Sequence, residues 1–385
     1  VWKIKLTLLL VSTMTIMSGT AIVASLPMIK DHFAGEANVD LYSRIILTAP
    51  AIAIAFFAPW TNMVASIFGK KRTLLIALFL FGLFGVMGAW MSSIIGMVIS
   101  RLLFGLSVAL MMSLSLAFVG DYFKDEERTS YLGYQNTFVA LGGVVFMAGG
   151  GLLAQWSWQG AFYIYALGWI VGILAWRYLV EPPKPKPITQ EEHKSVHVMR
   201  HWPIFATALA VMSVFYMVPT QLPYLLHDVY KMDASHIGFL IATVTFVSAV
   251  TSLFYARLRR HLDIRSIYTL LFAIQGSGFI GISFSKTYAQ FNSALILVGI
   301  GVGFVIVNTN SWLLESAQAH ERLKATGLLS GSLFLGQFIS PLLLYFPTTL
   351  YGIQETFRGV GVVLILVSLT LLWKVLKHRY GRISL

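Results

Sequence analysis

Residues 101–128 read RLLFGLSVALMMSLSLAFVGDYFKDEER, and residues 295–322 read LILVGIGVGFVIVNTNSWLLESAQAHER. In each, a charge-free apolar run of about twenty residues ends on an acid, Asp121 or Glu315, and a Glu-Arg pair follows. About twenty apolar residues rising 1.5 Å apiece cross the hydrocarbon core of a bilayer, so both stretches read as membrane spans. They are also copies. At an offset of 194, Gly105 falls on Gly299, Asp121 on Glu315, Glu127 on Glu321 and Arg128 on Arg322. Beyond them Gly133 falls on Gly327 and Gly142 on Gly336. Close helix packing alone selects glycine, but it does not place charges at the same offset in a charge-poor chain. An internal duplication does.

The rest of the chain has the same character. Of 385 residues, 57% are hydrophobic and 11% charged, and the mean hydropathy is +0.75. Soluble domains are about 45–50% apolar and about 25% charged, so a soluble enzyme, a disordered chain and a disulfide-stapled secreted domain are excluded. The absence of cysteine excludes thiolate catalysis and Cys-ligated zinc. Charge-free runs cover 6–29, 45–69, 73–100, 102–120, 129–176, 237–256, 266–285, 287–314 and 325–354. Run 129–176 is long enough for two crossings that turn near Gln155 to Gly160, and 73–100 holds one crossing, a turn near Met91 to Ile95, and the start of the next. With 203–226 and a last span near 358–373, the reading is twelve transmembrane helices. The ten-residue alternation of barrel strands is missing. Run 6–29 exceeds the apolar core of a signal peptide, about 7–15 residues, and reads as the first span.

The formal charge of +12 has a topological origin. With the N-terminus cytoplasmic, most Lys and Arg residues fall in inner segments, the bias expected of plasma-membrane proteins. Both termini are therefore expected in the cytoplasm, in a bacterial-type inner membrane, and no nucleic-acid partner is needed. Residues 181–202 change character: Pro182, Pro183, Pro185 and Pro187 alternate with Lys184 and Lys186. Such a stretch forms an extended solvated linker. It divides the chain into a six-helix bundle at 1–180, a cytoplasmic linker at 181–202 and a second bundle at 203–385. Parallel repeats place a substrate site between the halves near the bilayer midplane, with access alternating as one rocks on the other.

Several motifs carry a more specific likeness. Gly69-Lys70-Lys71-Arg72 sits between helices 2 and 3, after Asn62, Ser66 and Ile67; Arg101 precedes Gly105 by four residues in helix 4; Gly133, Gly142, Gly150 and Gly151 punctuate helix 5. Thr20 and Leu26-Pro27 follow Ser18 in helix 1. With six-plus-six architecture, the whole chain resembles the major facilitator superfamily, and these motifs resemble its bacterial drug/proton antiporters. The resemblance implies a secondary active transporter of a small organic or amphipathic molecule, most simply a proton-coupled multidrug-type exporter. It also implies a rocker-switch, a monomer, and no cofactor beyond a proton gradient. An uncoupled facilitator or importer of an anionic molecule is the alternative in the same fold.

Candidate residues follow from the cost of polarity in lipid. Arg101, inside helix 4, is expensive unless it faces a cavity or the bundle interior; it is a candidate cation for substrate or for a protonation step, or an interface arginine that snorkels to headgroups. Ser18, Thr20, Tyr216, Gln221, Gln275, Asn308, Asn310, Trp312 and Gln337, with Gln135 and Asn136, are candidate cavity lining or interhelical glue. Gln221 stands out because Pro219 and Pro223 flank it, and prolines that break a helix free carbonyls where a site can form. Gly69, Lys70, Lys71, Arg72, Asp121, Glu127, Arg128, Glu315, Glu321 and Arg322 form a candidate cytoplasmic gate, its pairs breaking as the halves part. No Asp or Glu lies deep in a span, so a coupling proton would have to use Asp31, Asp40, Asp228 or His227, which cluster near the outer ends of helices 1, 2 and 7. No span pairs histidine with serine or aspartate at helical spacing, so an intramembrane enzyme is not expected.

Overall fold

The computed structural model describes residues 2–182, 198–318 and 321–380. Among these, eleven helical stretches are long and apolar enough to cross a membrane: Val39–Trp60, Lys70–Trp90, Ile94–Tyr122, Glu126–Ala154, Gly160–Tyr178, Val198–Val229, Ala234–Ser252, Ile264–Phe284, Tyr288–Ser316, Lys324–Tyr351 and Ile353–Lys377. A twelfth crossing precedes them in pieces, Trp2–Met17, a tight turn Val23–Ser25 and Leu26–His32. In chain order these are spans 1 to 12. The chain is all-α, and the turns within runs 73–100 and 129–176 fall at Met91 to Ser93 and at Gln155 to Gln159, as the sequence predicts.

Two spans are broken. Span 1 stops at Met17, where Ser18, Gly19 and Thr20, weak helix formers, take over. Ser18 Oγ donates to the Thr15 carbonyl (3.0 Å) and Thr20 Oγ1 to that of Ile16 (3.2 Å), so side chains satisfy carbonyls at the end of the helix. Span 7 is interrupted at Tyr216, between helices Trp202–Phe215 and Met217–Tyr224. Pro219 has no N–H for the Phe215 carbonyl and its ring crowds that oxygen, so the break lies one turn before the proline. The second piece closes in a wide turn, Leu225–Val229.

The 194-residue offset recurs in three local details. Ser93 Oγ accepts from Gly96 N–H (3.1 Å) to start span 4, and Thr287 Oγ1 from Gln290 N–H (3.4 Å) to start span 10. A Cβ on Gly105 would strike the Pro50 carbonyl and the Ala53 methyl, and one on Gly299 the Val244 carbonyl and Val247 Cβ. Arg128 donates to the carbonyls of Phe123 (3.0 Å) and Gly120 (2.8 Å), closing span 4, while Arg322 does the same for Ala317 and Leu314 (3.3 Å each) at span 10. Every partner is displaced by the same 194 positions, so the duplication extends to single hydrogen bonds.

Spans 5 with 8 and 2 with 11 join the first six spans to the last six. On span 5, Gly150 lies against the Ala21 carbonyl of span 1. Gly151 lies against span 8, where a Cβ would come 2.7 Å from the Ala234 carbonyl and 3.0 Å from Gly238 Cα. Two glycines on adjacent faces let one helix touch both neighbours. A single apolar core runs through the first six spans into Met217, Leu222, Leu226, Ile237, Leu240 and Phe291 of the last six, all toward the face opposite the chain ends. Near the face that carries the chain ends, called here the terminal face, the last six spans keep separate clusters around Phe205 with Leu313 and around Ile267 with Val305. The halves are thus welded at one face and hold independent cores at the other. Most of the 181–202 linker falls on 183–197, outside the described residues.

Candidate functional site

At the welded face the two broken spans meet. A Cβ on Gly19 would lie 2.9 Å from Tyr216 Oη, so the breaks of spans 1 and 7 touch. Every residue from Met217 to Tyr224 is buried, because this piece is wedged against the second part of span 1 and the start of span 2. Next to it stands Arg44, only 6% exposed. Its Nε donates to Gln221 Oε1 (2.9 Å), its Nη1 to the Asp40 carbonyl, and its guanidinium carbon stacks 4.3 Å from the Tyr224 ring. Tyr224 Oη donates to Ser43 Oγ (2.8 Å). Gln221 is fully buried and its Nε2 has no hydrogen-bond partner.

Just above, Lys30 bridges the halves. Its Nζ lies 3.1 Å from Asp228 of span 7 and 3.4 Å from Asp40 of span 2. His227 Nδ1 is 2.9 Å from the other Asp228 oxygen. Lys30, Asp40, Arg44, Tyr224 and Asp228 line a cavity of about 420 Å³ together with Tyr351 and Gln354 of the second half. Three of the four coupling candidates, Asp40, Asp228 and His227, are therefore neighbours around one lysine. Asp31 is exposed and makes no ion pair among the described residues.

At the terminal face, ion pairs among the described residues join groups of one half. Lys70 binds Asp121 (2.7 Å) and Lys5 binds Glu127 (2.8 Å) in the first; Arg259 binds Glu315 (2.9 Å) and Arg200 binds Glu321 (2.6 Å) in the second. Gly69, at φ +87°, turns the chain so that the N–H groups of Lys70 and Lys71 meet the Glu181 carboxylate at 2.7 and 2.8 Å. Arg72 lies exposed at the start of span 3. Arg128 and Arg322 tie off carbonyls, as described above. The ion pairs of Lys70 with Asp121, Lys5 with Glu127 and Arg259 with Glu315 each join residues of the same half.

The remaining predicted residues lie elsewhere. Arg101 is fully buried inside the first half, its Nη2 donating to the Phe84 (2.6 Å) and Gly85 (2.7 Å) carbonyls at the end of span 3. The rings of Phe104, Phe162 and Tyr165 surround it at 4.8 to 5.3 Å. A cation at a helix C-terminus is favourable, and here it braces spans 3, 4 and 6 together. Gln135 bonds Ser12, which bonds Ser115, linking spans 5, 1 and 4 (2.7 and 2.6 Å). Asn308 joins Tyr255 to the Ile264 carbonyl, Asn310 bonds the Ile306 carbonyl, and Trp312 packs on Tyr268. Gln275 is buried within the second half; Asn136 is exposed and Gln337 half-buried. Ser18, Thr20, Tyr216 and Gln221 are the predicted residues gathered at the seam. Arg44 joins them without having been singled out; its signal was an arginine four residues after Asp40 at the mouth of an apolar run.

A family model described as Major Facilitator Superfamily matches residues 8–322 and 204–383. An uncharacterized MFS-type transporter of Methanocaldococcus jannaschii is 21% identical over 93% of this chain and 95% of its own. From Bacillus subtilis, a bacillibactin exporter is 23% identical over 77% of this chain and 78% of its own, and a hexuronate transporter 25% identical over 46% and 42%. The fold is that of a bacterial homologue of the human lysosomal transporter Spinster, solved inward-facing and unoccupied, at 17% identity and a TM-score of 0.75 over 95% of each chain.

Proposed function

This chain belongs to the Major Facilitator Superfamily of transporters, and we propose that it moves a small organic molecule by rocking two six-span halves about the seam, with proton movement linked to transport. One observation carries the reading. The ion pair Lys30 to Asp228 and the hydrogen bonds Arg44 to Gln221 and Tyr224 to Ser43 cross between the halves at one face, with a long Thr245 to Met147 sulfur contact (4.0 Å) deeper between spans 8 and 5, while the described pairs at the terminal face each stay within a half. With the terminal face placed in the cytoplasm, this is an inward-facing state. Opening the other way requires the Lys30 bridge to part. Protonating Asp228 removes the nearer of the two carboxylates that hold Lys30, so acid on that side loosens the lock and favours the outward-facing state. Export is the direction we assign, supported by the likeness to drug exporters in helices 1 and 5 and by the bacillibactin exporter, which matches far more of the chain than the hexuronate transporter does.

A second reading, uptake of an organic anion, is favoured by Arg44 beside the unpartnered Gln221 amide, donors suited to a carboxylate, and by the hexuronate transporter. Proteoliposomes loaded with candidate substrates separate the readings. Export by proton exchange predicts flux that accelerates under an imposed pH gradient and fails in Asp228→Asn. Equal rates with and without the gradient remove proton linkage.

A further inference from the structure

We propose that a second site, between spans 7, 9, 10 and 12 at the terminal face, binds one anionic phospholipid of the adjoining leaflet. The proposal needs only that the chain spans a membrane and is independent of substrate or direction. It starts from an asymmetry in the duplication. In the first half, span 6 packs on both span 3 and span 1. In the second, span 12 packs closely along span 9, Gly276 and Gly361 each lying against the other's carbonyl, but barely touches span 7. The wedge left open is a cavity of about 870 Å³.

Its walls are graded. Arg265 is the second residue of span 9, Glu315 and Ser316 end span 10, and Lys374 stands near the end of span 12, so the mouth lies at headgroup depth. Phe272, seven residues past Arg265, lies about 10 Å deeper at 1.5 Å per residue, where Val367 and Leu371 continue an apolar wall. The charges at the mouth do not cancel. Glu315 is engaged by Arg259, and Asp263 caps span 9 through Ser266 N–H (3.2 Å). Arg265 and Lys374 make no ion pair among the described residues, and Arg259 Nε is buried without a hydrogen-bond partner. A phosphodiester supplies the missing negative charge and acceptor oxygens, and its acyl chain fills the apolar depth. A soluble phosphate leaves the deep wall empty, and a zwitterionic lipid brings its own cation to a basic mouth.

Native mass spectrometry of the full chain tests this with phosphatidylglycerol and phosphatidylcholine of matched acyl chains. The wild type is expected to retain one phosphatidylglycerol at least roughly tenfold better, since each of the two basic residues near a membrane surface contributes about fivefold in its attraction to anionic lipid. Arg265→Gln with Lys374→Gln, both at exposed positions, should bring the ratio close to one, while Lys231→Gln at the opposite face leaves it unchanged. Equal retention of the two lipids by the wild type, an undiminished preference in the double variant, or displacement by inorganic phosphate each overturns the assignment. Unchanged thermal unfolding of the double variant excludes misfolding as the cause of lost binding.

Discussion

Replacing Asp228 by asparagine removes one carboxylate from the bridge that closes the seam. Lys30 Nζ sits 3.1 Å from that carboxylate, with side-chain exposures of 25% and 37%. Unit charges at that distance attract by about 5 kcal/mol at an effective dielectric of 20. Solvent reaches both groups, Asp40 remains 3.4 Å from the same amine, and exposed pairs contribute only about 0–1 kcal/mol. A net loss of about 1–2 kcal/mol follows, which multiplies the outward-open population about 5- to 30-fold. The chain has no cysteine, so spin labels at Gly35→Cys and Val229→Cys, both exposed and on opposite sides of the seam, report without background. Double electron–electron resonance should show a long-distance population in Asp228→Asn larger than in the parent by at least about fivefold. A change below about twofold, under ~0.5 kcal/mol, would refute the bridge as the closing contact.

Arg44→Gln should slow transport of a carboxylate substrate at least about tenfold, the worth of one charge-assisted hydrogen bond, and leave a neutral substrate nearly unaffected; substrate-dependent flux in proteoliposomes measures this. Arg128→Ala and Arg322→Ala should each cost about 1–2 kcal/mol in unfolding of the detergent-solubilised protein, with the larger loss at Arg128, whose bonds are shorter. Arg101→Ala should cost about 3 kcal/mol by stranding two buried carbonyls and stop transport through the slackened packing of spans 3, 4 and 6. Arg101→Lys should recover part of the stability, and a wild-type melting profile in Arg101→Ala would contradict the brace.

The fold was legible because a bilayer demands long apolar helices and because duplication leaves glycine and charge at a fixed offset. Ser93 with Thr287, and Arg128 with Arg322, carry that repetition into single hydrogen bonds. The site was less so. Arg101 and Arg44 each sit on an apolar helix, and only the rotation of that helix decides whether the guanidinium meets its own bundle or the other half. Arg101 turns to the span 3 carbonyls and Arg44 to Gln221 of span 7. Pairing at the terminal face was likewise open to the sequence, since the same Lys and Glu residues satisfy partners within a half or across the seam according to which face is closed. A break in span 7 was readable from Pro219 because chain chemistry, not rotation, disrupts the helix there. The break falls at Tyr216, one turn earlier, and Gln221 itself lies in the helical piece Met217–Tyr224.

Reversible cross-linking across the seam tests alternating access most directly. With Gly35→Cys and Val229→Cys, exposed positions on opposite sides of the seam and outside the bridge, joined by a reducible bifunctional thiol reagent matched to their separation, transport in proteoliposomes should stop and return on reduction, because the halves cannot part at that face. Undiminished transport by fully cross-linked protein would contradict it.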